Sequence, residues 1–256
     1  MVHLLFRNTN RTVVPFDTGV LEIEGRGVVL APSGLPYDCF NIRMSSTAPI
    51  WTFTVSIVIC TYGRPESLND TLQSLAAQTF KDFEVILITE KGNLSELRDC
   101  GLRTSIGDIV SFIDDDVYCE PTWLQAVVEA FKKEGVVGVT GPTRVEKAYL
   151  QNRDIFKYKA LRKLHDWAFN VPCKPGYLSS CGTPSMESNA ESCQYEGEVQ
   201  YLECCNMSVK RKEAIDAGGF DQIFTKTSEW CELDLSFRLG QKGELYFSQM
   251  AKLYHR

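Results

Sequence analysis

Read for its alternation of apolar and polar positions, the chain changes character near residue 52. Before that point, short mixed runs ("HLLF", "TVVPF", "GVLEIEG", "GVVLAP") are punctuated by "NTN", "DTG" and "PSG". Turn residues at that frequency predict hairpins, so residues 1–51 read as a β-rich appendage packed on the main body. From residue 52 the apolar runs become continuous. "TFTVSIVIC", 52–60, has the unbroken β-branched composition of a strand covered on both faces. A helix over about 66–78, a strand at 83–89, a helix through "LSELRDCGLRTS" and a strand at 108–114 follow. The segment "PTWLQAVVEAFKKEG" reads as a helix with Pro121 in its first turn and Gly135 at its end, and "VVGVTGP" as the next strand. Strand–helix alternation of this length predicts an α/β fold, a Rossmann-like, mostly parallel sheet flanked by helices, in a domain spanning 52–256. Beyond residue 150 the pattern predicts a helix over 154–168, a long irregular stretch over 171–203 and a last short strand in "AKLYHR". Loops of such length are commonly functional.

In sheets of this kind ligands bind beyond the carboxyl ends of the strands, where Thr61, Tyr62, Glu90 and the run Asp114, Asp115, Asp116 fall. Three adjacent carboxylates repel one another unless water or a cation neutralises them. A hard divalent ion, Mg²⁺ or Mn²⁺, held against a diphosphate suits them well, and an acidic turn facing water is the alternative. A second group lies in "EWCELDLSFRLG", where Glu229, Glu232 and Asp234 open an amphipathic helix. The helix dipole alone favours acids there. Glu232, however, sits among Trp230, Leu233 and Leu235, surroundings that raise a carboxyl towards the range of a general base. Asp234 stands four residues before Arg238, the spacing of an ordinary helical ion pair, and reads more as structure than as chemistry. Asn206 follows two cysteines before a short helix that ends in a Gly-Gly turn, and His255 closes the chain.

Composition narrows the classes. With 256 residues and 44% hydrophobic content the chain supports one sizeable core. A net charge of -6 disfavours nonspecific nucleic-acid binding, which needs a basic surface. The ten cysteines form no CxxC pair and no zinc-finger spacing, so reduced thiols in a cytoplasmic protein are expected, with Cys173, Cys181 and Cys193 the place for a bridge. No run approaches the roughly 20 apolar residues that span a bilayer, and residues 1–30 lack a signal-peptide core.

Taken in order, "SIVICTYGRPESLNDTLQSLAAQ", "FEVILIT" with Glu90, "LSELRDCGLRTSIGDIVSFIDDD", "CCNMSVKRKEAIDAGGFD" and "EWCELDLSFRLGQKG" resemble the family-two inverting glycosyltransferases of the GT-A fold, over roughly four-fifths of the chain. The resemblance implies a nucleotide-diphosphate sugar donor. Its nucleotide would lie near Thr61, Tyr62 and Arg64, with Glu90 in the place of the acid that reads the base and Arg98 and Asp99 flanking base and ribose. It assigns Asp114 and Asp115 to the nucleotide side, Asp116 and His255 to Mn²⁺ or Mg²⁺, and Glu232 to the catalytic base that is usually the Asp of an "ED" pair. Asp234 completes that motif. The resemblance also implies a glycan or lipid-linked acceptor entering near Asn206 and Trp230, with peripheral contact to a membrane where the acceptor is lipid-linked. The Asp-rich turn usual after the second strand is here "TEKGN", which leaves the base open. The rival readings are an inactive GT-A-like binding module, a sugar-phosphate nucleotidyltransferase and a glycoside hydrolase.

Overall fold

The computed structural model describes residues 31–32, 39–43, 54–145, 164, 167–168, 174–180, 182, 184–185, 194–225 and 230–256. Its elements are β1 (Ala31–Pro32), β2 (Cys39–Arg43), β3 (Val55–Cys60), α1 (Pro65–Ala76), β4 (Phe83–Ile88), α2 (Leu94–Thr104), β5 (Ile109–Ile113), β6 (Val117–Cys119), α3 (Trp123–Ala130), β7 (Val136–Thr140), β8 (Thr143–Val145), β9 (Gly197–Glu198), β10 (Asn206–Lys210), α4 (Arg211–Asp216), α5 (Cys231–Gly240), β11 (Glu244–Phe247) and β12 (Leu253–His255).

Nine strands form one sheet in the order β1-β2-β4-β3-β5-β10-β7-β11-β9. β3 pairs in parallel with β4 and β5, and β11 with β7. β10 runs antiparallel between β5 and β7, an inversion the strand–helix rhythm does not announce. The right-handed crossover rule governs parallel neighbours and sets no direction for an antiparallel strand such as β10. The continuous apolar runs have a simple cause: alternate side chains enter two different cores. Val55, Ile57 and Ile59 of β3, with Phe83, Val85 and Leu87 of β4, join a cluster with Leu68, Leu72, Leu75 and Trp123 from α1 and α3. Val58, Ile86, Ile88, Val110 and Phe112 face the other way, onto Leu97, Leu102, Ala214, Leu235 and Leu239 from α2, α4 and α5.

The helices start where the sequence signals predict. Pro65 opens α1, and the Asn93 side chain accepts the Ser95 amide at 3.2 Å to cap α2. α3 is shorter than the 15-residue segment assigned to it, because the chain unwinds into turns after Ala130. β2 is not separate from the main body: it pairs antiparallel with β4, Cys39 opposite Ile88, and so extends the large sheet. Residues 1–30 and 44–53 lie outside the described residues, as do most of the predicted 154–168 helix, part of the 171–203 stretch and Glu229.

A second sheet, β6-β12-β8, stands over the carboxyl end of β5. β12 lies antiparallel to β6 with His255 opposite Val117, and the Arg256 amide donates to the Asp116 carbonyl at 3.0 Å. This pairing brings the last residues of the chain beside the triple aspartate.

Candidate active site

The register sets Cys60 of β3 beside Ile88 of β4 and Ile59 beside Ile113 of β5, so the segments after these strands leave the sheet together. The three aspartates diverge at that edge. Asp115 is fully buried; the Thr61 hydroxyl donates to its Oδ2 at 2.5 Å and Arg64 pairs with its Oδ1 at 2.5 Å. Burial pushes its carboxyl upward, while Thr61 and Arg64 oppose that rise. Asp115 therefore ties the β3 and β5 loops together through Thr61 and Arg64.

Asp114 and Asp116 turn the other way, towards His255. Its Nε2 lies 3.5 Å from Asp114 Oδ2 and 3.2 Å from Asp116 Oδ1. Among the described residues this trio is the group of acids, cysteines and histidines whose ligand atoms all fall within 4.8 Å of one another. Asp116 Oδ1 is buried against the His255 imidazole, and the donor set is two carboxylates and an imidazole, so these residues fit a hard divalent cation. Without one, Asp114 and Asp116 hold the His255 imidazolium up to about 10. Burial works against ionisation of Asp116, but His255 and then Arg64, at 2.8 Å, outweigh it and keep the carboxyl below its ordinary range. A cation bound there would take the place of the imidazole proton.

Arg98 and Asp99 part company, because consecutive helical residues point about 100° apart. Arg98 is buried and faces the site, 3.6 Å from Asp114 Oδ1 through Nη2. Asp99 faces away. It pairs with Arg103 at 2.7 Å and accepts the Phe220 amide at 3.1 Å, beneath the Gly218–Gly219 turn. Through these contacts it anchors that turn. The glycines are required there: their φ angles are 101° and 70°, and a Cβ on Gly219 would stand 2.0 Å from Asp99 Oδ1.

The opposite wall is the start of α5. Trp230 precedes it in the left-handed region, φ 73°, and is half-exposed. Such a conformation in a large aromatic residue is strained and occurs where surrounding structure enforces it, commonly at functional sites. Glu232 is partly buried, and burial first, then the neighbouring Cys231, raises its carboxyl to about 7. Asp234 pairs with Arg238, whose Nη1 and Nη2 reach the Ala217 and Gly219 carbonyls at 2.5 and 2.8 Å. That pair closes the end of α4. Asn206 is 1% exposed, accepts the Trp123 indole N–H at 2.9 Å and donates to the Ala251 carbonyl at 2.9 Å. Both ends of its amide are used inside the fold.

Tyr62 is exposed at the site rim, with Lys91 Nζ 6.0 Å from its ring centroid. Glu90 follows β4 at the same edge. Sequence reasoning gave no role to Cys231 and Cys204, which meet Arg98 inside the site; no spacing rule marks cysteines that come together only in the fold.

With this geometry on hand, the comparisons are specific. The profile of Glycosyl transferase family 2 matches residues 56–91 and 88–180, the β3-to-β8 body that carries the aspartates. The chain belongs to this family. A glucosyl-dolichyl phosphate glucuronosyltransferase of Haloferax volcanii is 24% identical over 195 residues, covering 65% of this chain and 56% of its own. Among solved structures, S. aureus TarS 1-349 in complex with UDP-GlcNAc superposes with TM-score 0.52 at 14% identity, over 79% of this chain and 58% of that one. GalNAc-T7 with UDP, GalNAc and Mn²⁺ gives 0.54 at 12% identity, over 79% and 44%. Likeness at such identities is one of fold, and the fold is GT-A. The chain spans about half the length of the curated relatives it matches.

Proposed function

We propose that this family 2 protein is a metal-dependent inverting glycosyltransferase that moves a sugar from a nucleotide-diphosphate donor to a hydroxyl of a glycan or lipid-linked glycan. The observation that carries the reading is the position of Arg98. It spans from Asp114, in the cation-type cluster, to Cys231 at 3.6 Å, beside Glu232. A cluster suited to a diphosphate-bound cation and a carboxylate poised near neutrality thus lie on two sides of one buried side chain.

Inversion by single displacement needs one base to take the acceptor hydroxyl proton as the anomeric carbon changes partners, and no covalent nucleophile. Glu232 is that base. Asp114, Asp116 and His255 would hold Mn²⁺ or Mg²⁺, which when bound offsets charge on the departing diphosphate. Tyr62, Arg64 and Glu90 line the nucleotide side, and half-exposed Trp230 is the acceptor's contact. The nucleotide-diphosphate donor agrees with the UDP-GlcNAc held by TarS, and a lipid-linked acceptor with the dolichyl phosphate named for the archaeal relative. On this reading the protein works on the cytoplasmic side, at the membrane surface where its acceptor is lipid-linked.

Isothermal titration with UDP, GDP and dTDP, each with and without Mn²⁺, tests the donor half. Binding of one of them that requires the metal is expected; no binding of any by the folded protein overturns the reading.

A further inference from the structure

Glu232 does not face the site alone. The residue before it, Cys231, is fully buried at the first position of α5, and its Sγ lies 3.6 Å from Glu232 Oε2 and 3.6 Å from Arg98 Nη1. The same sulfur meets the Cys204 thiol, from the segment that leads into β10, and Ser95 at the start of α2. Among the described residues, the titratable and charged groups facing the Cys231–Glu232 pair are Arg98 from α2 and Cys204 and Tyr201 from the 199–205 segment.

We propose that Cys231 is a positioning residue of the active site: wedged between the Arg98 guanidinium and the Glu232 carboxylate, its sulfur fixes both groups and sets the pH at which Glu232 becomes a base. The inference rests on the reading of Glu232 given above and extends it to a neighbour.

The physical case begins with charge. A thiol at a helix N-terminus beside a buried guanidinium is stabilised as the thiolate by the unpaired amides and by the cation. Here the Cys204 hydrogen bond acts first in that direction, against burial, with Ser95 and Arg98 adding to it, and the thiol falls to about 5. Arg98 also gains: burial opposes its charge, but Cys204, Asp114 and Cys231 outweigh that, so it stays protonated. A thiolate next to a carboxylate disfavours a second negative charge, and the two acids titrate as a coupled pair around one cation. Removing the thiolate while keeping a small polar group must then lower the carboxyl.

The test reads the carboxyl without a substrate. Carbon-13 carboxyl NMR of glutamate-labelled protein, with the Glu232 signal assigned by its loss in Glu232→Gln, gives the midpoint in the native chain and in Cys231→Ser. The expected native midpoint is near 7. In Cys231→Ser it should fall by about one pH unit, the scale of one neighbouring like charge partly offset by a cation. A native-minus-Cys231→Ser titration of thiolate ultraviolet absorbance, readable even if Cys231→Ala fails to fold, should place the Cys231 transition well below pH 8. An unchanged Glu232 midpoint in Cys231→Ser, or a Cys231 transition above pH 8, overturns the proposal. Failure of the base assignment itself looks different: Glu232→Gln would keep full transfer while the Cys231→Ser shift persisted, and the coupled pair would stand.

Discussion

At the scale of single residues, three adjacent aspartates take two different directions because a loop presents consecutive side chains on alternate sides. Asp115 points inward to Thr61 and Arg64, and Asp114 and Asp116 outward to His255. Their substitutions should separate accordingly. Asp116→Ala is expected to abolish Mn²⁺ binding in a calorimetric titration while leaving the thermal midpoint within a few degrees of native. Asp115→Ala removes a buried acid that ties two loops, and should lower stability by about 2–3 kcal/mol in urea unfolding. Glu232 gives a pH prediction. Its carboxyl is raised to about 7, so it is protonated and idle below that value. Transfer should rise with pH through a midpoint near 7, and Glu232→Gln should bind donor yet transfer at least about a hundredfold more slowly, the usual contribution of a general base. Linkage has a definite sign as well. The folded state holds this proton more tightly than the unfolded chain, so the stability it contributes is present below about 4.5 and lost as pH rises through 7. Glu232→Gln should therefore melt higher than native at pH 8, and no higher at pH 4.

At the scale of elements, the site is assembled by short connections with little freedom. The Gly218–Gly219 turn ends α4 and sits on Asp99 of α2, with Arg238 of α5 closing the carbonyls from the other side. Gly219→Ala must move the Asp99 carboxylate or the turn, and also strains a left-handed backbone. The expected loss is about 2 kcal/mol, read as a shift in urea midpoint at constant slope. Much of this level was legible in the sequence. The βα rhythm from 52 to 140, Pro65 at a helix start and the strand before the aspartates all follow from periodicity and local chemistry. The unforeseen parts are those whose partners lie far along the chain. Asp99 and Arg98 are adjacent in sequence, and only the packing of α2 on β3 and α4 decides which one meets the site. Asn206 read as a polar group near the site, yet Trp123 and the Ala251 carbonyl, 83 and 45 positions away, consume it.

At the scale of the whole molecule, two cores share one sheet, and the edge between β5 and β10 is where the family's chemistry gathers. A nucleoside diphosphate bound there with Mn²⁺ favours the native state alone, so it should raise the melting temperature in proportion to the logarithm of its concentration, and Asp116→Ala should remove that response. Among the described residues, no helix is long and apolar enough to cross a membrane. Cys60, Cys100, Cys119, Cys204, Cys205 and Cys231 are free. The sequence by itself determined the β3-to-β7 strand–helix body, its two-sided cover and the clustering of acids after β5, because apolar periodicity and strand-end position are local properties that survive any packing. Tertiary structure supplied the geometry by which His255 meets Asp114 and Asp116, and alone decided that Asp115 turns inward and that Cys231 and Arg98 stand against Glu232. Each of these depends on contacts between segments tens to more than a hundred positions apart, where burial and neighbouring charge, rather than residue type, set what a side chain can do.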